Sequence, residues 1–145
     1  MEMLFKNGKM KNISKSQVLA LKDEVAYQDG MVVSKTLVQN DAVSVTLFAF
    51  DKGEEISTHE SGGDAFVTCL DGVGKITIDG IEYILNEGKS IVMPAKHPHA
   101  VFGEERFKML LVVVFWFLQT KNSSCTDYSD TTAIYFLKRI FLFQF

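Results

Sequence analysis

The chain has 145 residues, of which 47% are hydrophobic and 23% are charged, and its net charge is −3. This composition is typical of a single globular domain large enough to bury a core of its own. The acidic balance and the lack of any run of basic residues exclude a function that depends on the phosphate backbone of nucleic acid.

The cysteines, the N-terminus and the apolar runs predict where the protein resides. Cys69 and Cys125 are far apart and lack metal-ligand spacing, which indicates reduced thiols rather than a disulfide framework. The N-terminus has no apolar core followed by a small-residue cleavage site, so no secretory signal is expected. The apolar run at residues 109–118 is about half as long as a membrane-crossing helix and indicates a buried strand. We therefore expect a cytoplasmic protein with no membrane span.

The N-terminal extension, residues 1–30, is expected to contain one short helix. Ser14 and Gln17 have the spacing of a capping box, which satisfies the first backbone N–H groups of a helix. Apolar Val18, Leu19 and Leu21 follow and would form its buried side.

Residues 31–118 have the composition of strands and are expected to form one barrel. Asp-Gly dipeptides at 71–72 and 79–80 predict hairpin turns, because both positions of such a turn need residues that tolerate positive φ. Short strands separated by such turns predict an all-β sandwich or barrel. The predicted strands are residues 31–38, 43–50, 66–70, 75–78, 81–85, 90–93, 99–102 and 108–117.

All three histidines lie in two glycine-bounded segments, residues 53–72 and 88–103. Six residues in these segments have the type and spacing of two known motifs, and they are Gly53, His59, Gly72, Gly88, Pro94 and His99. On these motifs, residues 40–115 resemble the cupin superfamily. The resemblance implies a double-stranded β-helix, that is, a jelly-roll barrel, in agreement with the strand pattern.

Departures from the cupin motifs fall on the positions that bind metal in the family. Cupins with a metal usually supply two His and one Glu from the first motif and one His from the second. This chain has His59, Ser61, Ala65 and His99 at those positions. Neither Ser nor Ala is a good ligand for a divalent transition metal. The resemblance therefore implies a weak or absent site for Fe, Mn, Ni, Co or Zn, with His59 and His99 as its ligands.

Four charged or polar residues near the motif histidines could also contribute to the site. Asp64 follows a Gly-Gly pair, and a bulge there would turn it inward to complete a two-His, one-carboxylate set suited to non-haem iron. Alternatively, Asp64 caps the loop or meets solvent. Glu60 is expected to point away from His59, because side chains alternate along a strand. His97 is expected to face solvent, and Lys96 either binds an anionic ligand near the barrel mouth or is a solvated loop charge.

The motif positions, combined with strand alternation, predict which side chains line the barrel interior. A mostly apolar interior with a few polar groups predicts a small-molecule pocket. Alternatively, the two motif histidines are neutral imidazoles that are hydrogen-bonded inside the barrel and bind nothing. The predicted pocket residues are His59, Ser61, Ala65, Val67, Cys69 and His99, with His99 approaching His59 from the second motif.

Three functions remain open, because a fold alone does not determine function. The first is a cupin domain that binds a small molecule. The second is a metal-dependent cupin enzyme of dioxygenase, isomerase or decarboxylase type that uses His59 and His99. The third is a non-catalytic structural or interaction module.

The edge of the predicted strand 31–38 also favours a homodimer. Residues 119–145 form a tail outside the resemblance, which either packs on the barrel or a second subunit or has no selected function.

Overall fold

The computed structural model describes residues 9–115 of the chain. Within this part, one short 3₁₀ turn, Leu21–Asp23, is followed by seven strands. The all-β jelly-roll barrel predicted from the sequence is confirmed. The strands are β1 (Val32–Gln39), β2 (Val43–Phe50), β3 (Glu55–His59), β4 (Asp64–Ile78), β5 (Ile81–Asn86), β6 (Ser90–Met93) and β7 (His99–Val114).

Strand β7 lies in the middle of the strand order and is antiparallel to the strands that pair with it. It pairs with β4 on one side, and on the other side with β3 near its start and with β2 near its end. Strand β4 pairs in turn with β6 near its start and with β5 near its end. The pairing of β4 with β7 shifts register within residues 69–74, and such bulges bend and twist a strand. The two long strands therefore contribute to both ends of the barrel.

The two Asp-Gly dipeptides have different structures. Asp79 and Gly80 both have positive φ, 51° and 80°, and form the predicted tight turn between β4 and β5. The turn predicted at 71–72 is wrong, because Gly72 lies in a bulge inside β4. Gly72 has a φ of 76°, and a Cβ atom there would come within 1.6 Å of the Arg106 carbonyl oxygen. The predicted strands 66–70 and 75–78 are therefore one strand, and the predicted strands 99–102 and 108–117 are likewise joined in β7.

The helix predicted after the capping box at Ser14 is also wrong. Ser16 has a φ of 56°, which is left-handed, and Val18 is fully exposed. Only the 3₁₀ turn at Leu21–Asp23 forms, without a side-chain cap. A capping sequence is a weak signal, because packing supplies most of the stability of a short helix in a protein.

Apolar side chains lie on both faces of the sheet formed by β2, β7 and β4. The inner face packs inside the barrel around Phe50, Val67, Ile76, Phe107 and Met109. The outer face is partly covered by the N-terminal extension, whose Ile13, Leu21, Val25 and Tyr27 pack against a cluster that includes Leu37, Leu47 and Ala49. Within residues 9–115, no helix is long and apolar enough to cross a membrane. The tail at 119–145 and the last two residues of the predicted strand 108–117 lie outside the described part of the chain.

Candidate functional site

His59 and His99 lie side by side at the entrance to the barrel interior. His59 ends β3 and pairs in register with His99, the first residue of β7. The register of this pair of strands shifts between Ile56 and His59. The two imidazole rings are 4.5 Å apart between centroids and meet edge to face at 68°. The structure thus brings together the two histidines that the motif spacing predicted to approach each other.

Each imidazole is held by a hydrogen bond from Nδ1 to a backbone carbonyl oxygen. His59 Nδ1 lies 2.8 Å from the Ser57 oxygen, and His99 Nδ1 lies 2.9 Å from the His97 oxygen. A carbonyl oxygen only accepts hydrogen bonds, so the proton is on Nδ1 in both rings. In a neutral imidazole, Nε2 then carries a free lone pair. Both rings therefore offer Nε2 as an acceptor or a ligand.

The two histidines differ in their exposure to solvent. His99 is only 2% exposed, whereas His59 is exposed at the surface. Burial lowers the pKa of His99, because a charged imidazolium loses hydration inside the protein. The bond to the His97 carbonyl opposes this shift, nearby His59 lowers the pKa further, and the charge of Glu60 raises it. The net result is a lowered pKa, so His99 is neutral near pH 7.

A cavity of about 210 Å³ opens beside these rings. Its walls are mostly apolar and come from β2, β3, β6 and β7, while its polar side chains are at the His59–His99 end. The volume is below the range of about 300–1,000 Å³ that is typical of drug-sized ligands. The lining residues are Phe48, Ile56, His59, Glu60, Ser61, Met93, His99, Val101, Met109, Leu111 and Val113.

Three of the predicted pocket residues do not line this cavity. Ala65, Val67 and Cys69 point inward from β4, as strand alternation predicted, but they are buried in the barrel core. Ala65 pairs with Met93 on β6 and with Val113 on β7, and these two longer side chains reach the cavity instead. Burial raises the pKa of the Cys69 thiol to about 11, which leaves it protonated at neutral pH.

Of the two nearby carboxylates, Asp64 adopts the loop-capping alternative, whereas Glu60 does not point away from the site as expected. Asp64 does not line the cavity, because its carboxylate accepts a hydrogen bond from the Ala95 N–H at 2.8 Å and thereby fixes a loop. Glu60, which was expected to point away, does line the cavity. Strand β3 ends at His59, so strand alternation no longer holds at Glu60 and Ser61. Three consecutive residues therefore reach the cavity mouth.

The loop residues near the site serve mainly to shape it. Ser61 accepts a hydrogen bond from the Gly63 N–H through its hydroxyl at 3.2 Å, and another from the Lys96 N–H through its carbonyl at 2.8 Å. The Lys96 side chain is exposed and does not line the cavity. His97 is exposed, and its Nδ1 lies 2.6 Å from the Asp79 carboxylate.

These residues do not fit a complete metal site. In the described part of the chain, no three His, Cys, Asp or Glu side chains are grouped so that they could hold one ion. The two Nε2 atoms are good ligands, and the bonds from Nδ1 to carbonyl oxygens orient them as metal-binding histidines are usually oriented. Two ligands without a third are nevertheless a weak site.

The apolar wall was missed by the motif reasoning, although one signal for it is present in the sequence. Met109, Leu111 and Val113 alternate along the end of β7 and face the cavity together. Period-two alternation inside the apolar run at 109–118 identifies one face of a strand. It does not reveal that space remains in front of that face.

Comparisons with known proteins agree with this architecture. A cupin-domain family model matches residues 46–115. A conserved protein of unknown function from Streptococcus pyogenes is 46% identical, with a TM-score of 0.74 over 76% of this chain and 96% of that one. A cupin superfamily protein from Desulfitobacterium hafniense is 32% identical, with a TM-score of 0.71 over 74% of this chain and 99% of that one.

A third solved structure is similar over a shorter part. A cupin 2 conserved barrel domain protein from Leptotrichia buccalis is 48% identical, with a TM-score of 0.64 over 64% of this chain and 45% of that one. Among curated proteins, none matches this chain. On its motifs, its fold and these similarities, the chain belongs to the cupin superfamily.

Proposed function

We propose that this protein binds a small, largely apolar molecule in the cavity of its barrel. The observation that carries this proposal is the cavity of about 210 Å³, which has apolar walls and polar groups gathered at one end. Small-molecule sites usually have this character, and barrel mouths are a common place for them. The walls from β6 and β7 would exclude water from the ligand, and the two imidazoles would orient its polar end.

A variant that fills the cavity tests this proposal. Leu111 lines the cavity from β7, whereas Val112, the next residue, pairs with exposed Phe66 on the outer face. We expect Leu111→Trp to abolish binding of xenon, detected by NMR shifts of cavity residues, while Val112→Trp leaves it intact. Leu111→Phe fills less of the cavity and replaces the tryptophan variant if that variant does not fold. Xenon shifts that persist in a folded Leu111 variant would refute the proposal.

The anchored histidines favour a second candidate function, a weak divalent-metal site at His59 and His99. Its support is that both Nδ1 atoms are bonded to carbonyl oxygens, which leaves both Nε2 lone pairs available. With two protein ligands, we expect less than one metal ion per chain after purification without a polyhistidine tag. Elemental analysis that finds one tightly held metal ion per chain would contradict this expectation.

We also propose a homodimer and a cytoplasmic location. Strand β1 is at the end of the strand order β1-β2-β7-β4-β5, so no strand pairs with its outer edge within the described residues. Of the described residues in the N-terminal extension, only Asn12 and Lys11 bond to the backbone of β1, at the Thr36 and Leu37 carbonyl oxygens. Unpaired edges are commonly covered by another chain. Light scattering that gives the monomer mass across micromolar concentrations would contradict the dimer. The location is supported by Cys69, which has no disulfide partner within residues 9–115, and is checked by fractionation of the native host.

A further inference from the structure

We propose that the ligand carries a cationic hydrogen-bond donor, such as a protonated amine, on a short apolar chain. This inference rests on the proposed function, because it names the chemical class of the molecule that occupies the cavity. Its basis is that the polar end of the cavity presents acceptors and a negative charge, while the remainder is apolar.

The acceptors are the two histidine Nε2 atoms. Both Nδ1 protons are already donated to the carbonyl oxygens of Ser57 and His97, at 2.8 and 2.9 Å. Neutral rings held in this way have no N–H left for a ligand, so a carboxylate or a phosphate would find lone pairs where it needs donors. A ligand that brings N–H groups of its own can donate to such acceptors, and the two rings are only 4.5 Å apart between centroids.

The charges at the mouth favour the same class of ligand. Glu60 lines the cavity beside His59, and its negative charge acts on buried His99. None of the lining residues is Lys or Arg, and the side chain of Lys96 is exposed outside the lining. The hydroxyl of Ser61 can still donate one hydrogen bond, because its oxygen accepts one from Gly63. One hydroxyl beside a carboxylate does not make an anion site.

The position of these groups also limits the cost of removing an ammonium group from water. An isolated buried charge is strongly unfavourable. His59 and Glu60 are exposed, however, so a cation between them would keep part of its hydration. The apolar chain would enter the space lined by Val101, Met109 and Leu111. The size of the cavity restricts that chain to a few carbon atoms.

Three probes of the same length test the inference. Butylammonium, butyrate and 1-butanol each contain four carbon atoms, and they carry a cationic donor, an anionic acceptor and a neutral group, respectively. Each is titrated at neutral pH, with EDTA present so that trace metal does not occupy the imidazoles, and binding is followed by NMR at His59, His99 and Leu111. We expect butylammonium to bind at least about tenfold more tightly than butyrate, because the ammonium can donate charge-assisted hydrogen bonds to acceptors at the cavity mouth, whereas butyrate brings a second negative charge beside Glu60.

Removal of the carboxylate charge sharpens the test. Glu60→Gln keeps the size of the side chain and should reduce the preference for butylammonium several-fold. Glu55→Gln is the matched control, because Glu55 is an exposed carboxylate on β3, the strand just before Glu60, and does not line the cavity. The control should leave the preference nearly unchanged. Equal losses in the two variants would show only a long-range effect of net charge and would overturn the role of Glu60.

The remaining outcomes separate this inference from the proposed function. Butyrate binding as tightly as butylammonium, or more tightly, would overturn the inference. Binding of 1-butanol alone would also overturn it, while leaving the small-molecule cavity in place. Failure of all three probes and of xenon to bind the parent protein would refute the proposed function itself, and with it the inference.

Discussion

The two faces of the sheet formed by β2, β7 and β4 differ in how their polar groups are paired. On the outer face, the Tyr27 hydroxyl donates to Asp71 at 2.7 Å, and Arg106 Nε donates to Asp51 at 2.8 Å. The Lys108 Nζ atom also lies 4.7 Å from the centre of the Tyr27 ring. On the inner face, the Nε2 atoms of His59 and His99 keep free lone pairs beside open space.

This difference separates the polar groups that stabilise the fold from those that the proposed ligand would contact. On the outer face, the contacts of Tyr27 tie the N-terminal extension to the barrel, and these polar groups are paired within the protein. The inner-face groups leave capacity unused next to a cavity. Proteins place most polar groups near the interior in hydrogen bonds, so unused acceptors beside apolar walls are the feature on which the proposed function rests.

The largest expected effect is a loss of stability that differs between the two faces. Leu47 is fully buried on the outer face, and Leu47→Ala should lower the free energy of unfolding by about 3 kcal/mol. Leu111 already faces the cavity and is only partly buried, so Leu111→Ala should cost about 1 kcal/mol. Urea unfolding monitored by circular dichroism measures both. Equal losses would mean that the inner face is packed as tightly as the outer face.

The second prediction completes the metal ligands on the inner face. Ser61→His together with Ala65→Glu restores the usual cupin ligand set and should tighten binding of a divalent metal by at least about a hundredfold. Loss of a residue that only hydrogen-bonds to a metal ligand commonly lowers metal affinity by about 10–100-fold, and a direct ligand should matter at least as much. Because Ala65 is 1% exposed, the new carboxylate should destabilise the metal-free protein, and added metal should restore stability. Calorimetric titration with Zn²⁺ measures the affinity.

A control for the double variant removes one of the existing histidines. Adding His99→Ala should abolish most of the gain, because the new ligands would then lack a partner on β7. A double variant with no better affinity than the parent protein would show that His59 and His99 do not share a cupin metal pocket.

The two Asp-Gly dipeptides show how far the fold could be predicted from the sequence. Locally they are identical, and the tight turn at 79–80 was predicted correctly. The dipeptide at 71–72 became a bulge because β4 continues past it along β7, and Gly72 lies against the Arg106 carbonyl. That contact joins residues far apart in the chain, and no local pattern encodes it.

The candidate site, too, could be predicted from the sequence only in part. Motif spacing was sufficient to place His59 next to His99, because it reflects the register between two strands. It was not sufficient for Glu60, whose orientation depends on β3 ending one residue earlier. The cavity is the part of the barrel interior that the side chains leave unfilled. Its presence and size depend on how all the interior side chains pack, and the sequence near the motifs does not determine that packing.

The third prediction concerns the outer face and is smaller. Tyr27→Phe removes the hydroxyl that donates to Asp71 and should lower the free energy of unfolding by about 1 kcal/mol. Burial and the neighbouring Asp71 raise the pKa of Tyr27, so the phenol stays protonated as a donor across the usual pH range. Tyr83→Phe is the control, because Tyr83 is 41% exposed on β5. Losses of equal size in the two variants would show that the hydrogen bond from Tyr27 to Asp71 does not stabilise the outer face.

The smallest expected effect is a pH dependence of stability from His99 on the inner face. Burial lowers the pKa of His99 below its ordinary value of 6.5, while the His97 carbonyl and Glu60 partly offset that shift. As pH falls below 6.5, the unfolded chain takes up a proton that the folded chain resists, so the free energy of unfolding decreases. The decrease ends when pH passes the lower pKa of the folded state. Above the ordinary value, His99 contributes no pH dependence.

The variant that isolates this effect is His99→Asn, whose amide nitrogen can take the place of Nδ1 and donate to the His97 carbonyl. Urea unfolding should be compared above about pH 5, where carboxylates such as Asp51, with a pKa lowered from 3.8, stay ionised. All other ionisable groups are common to the two proteins, so the difference between the two curves isolates His99. We expect the parent protein to lose more stability on acidification than the variant, and parallel curves would show that the cavity imposes no cost on a charged His99.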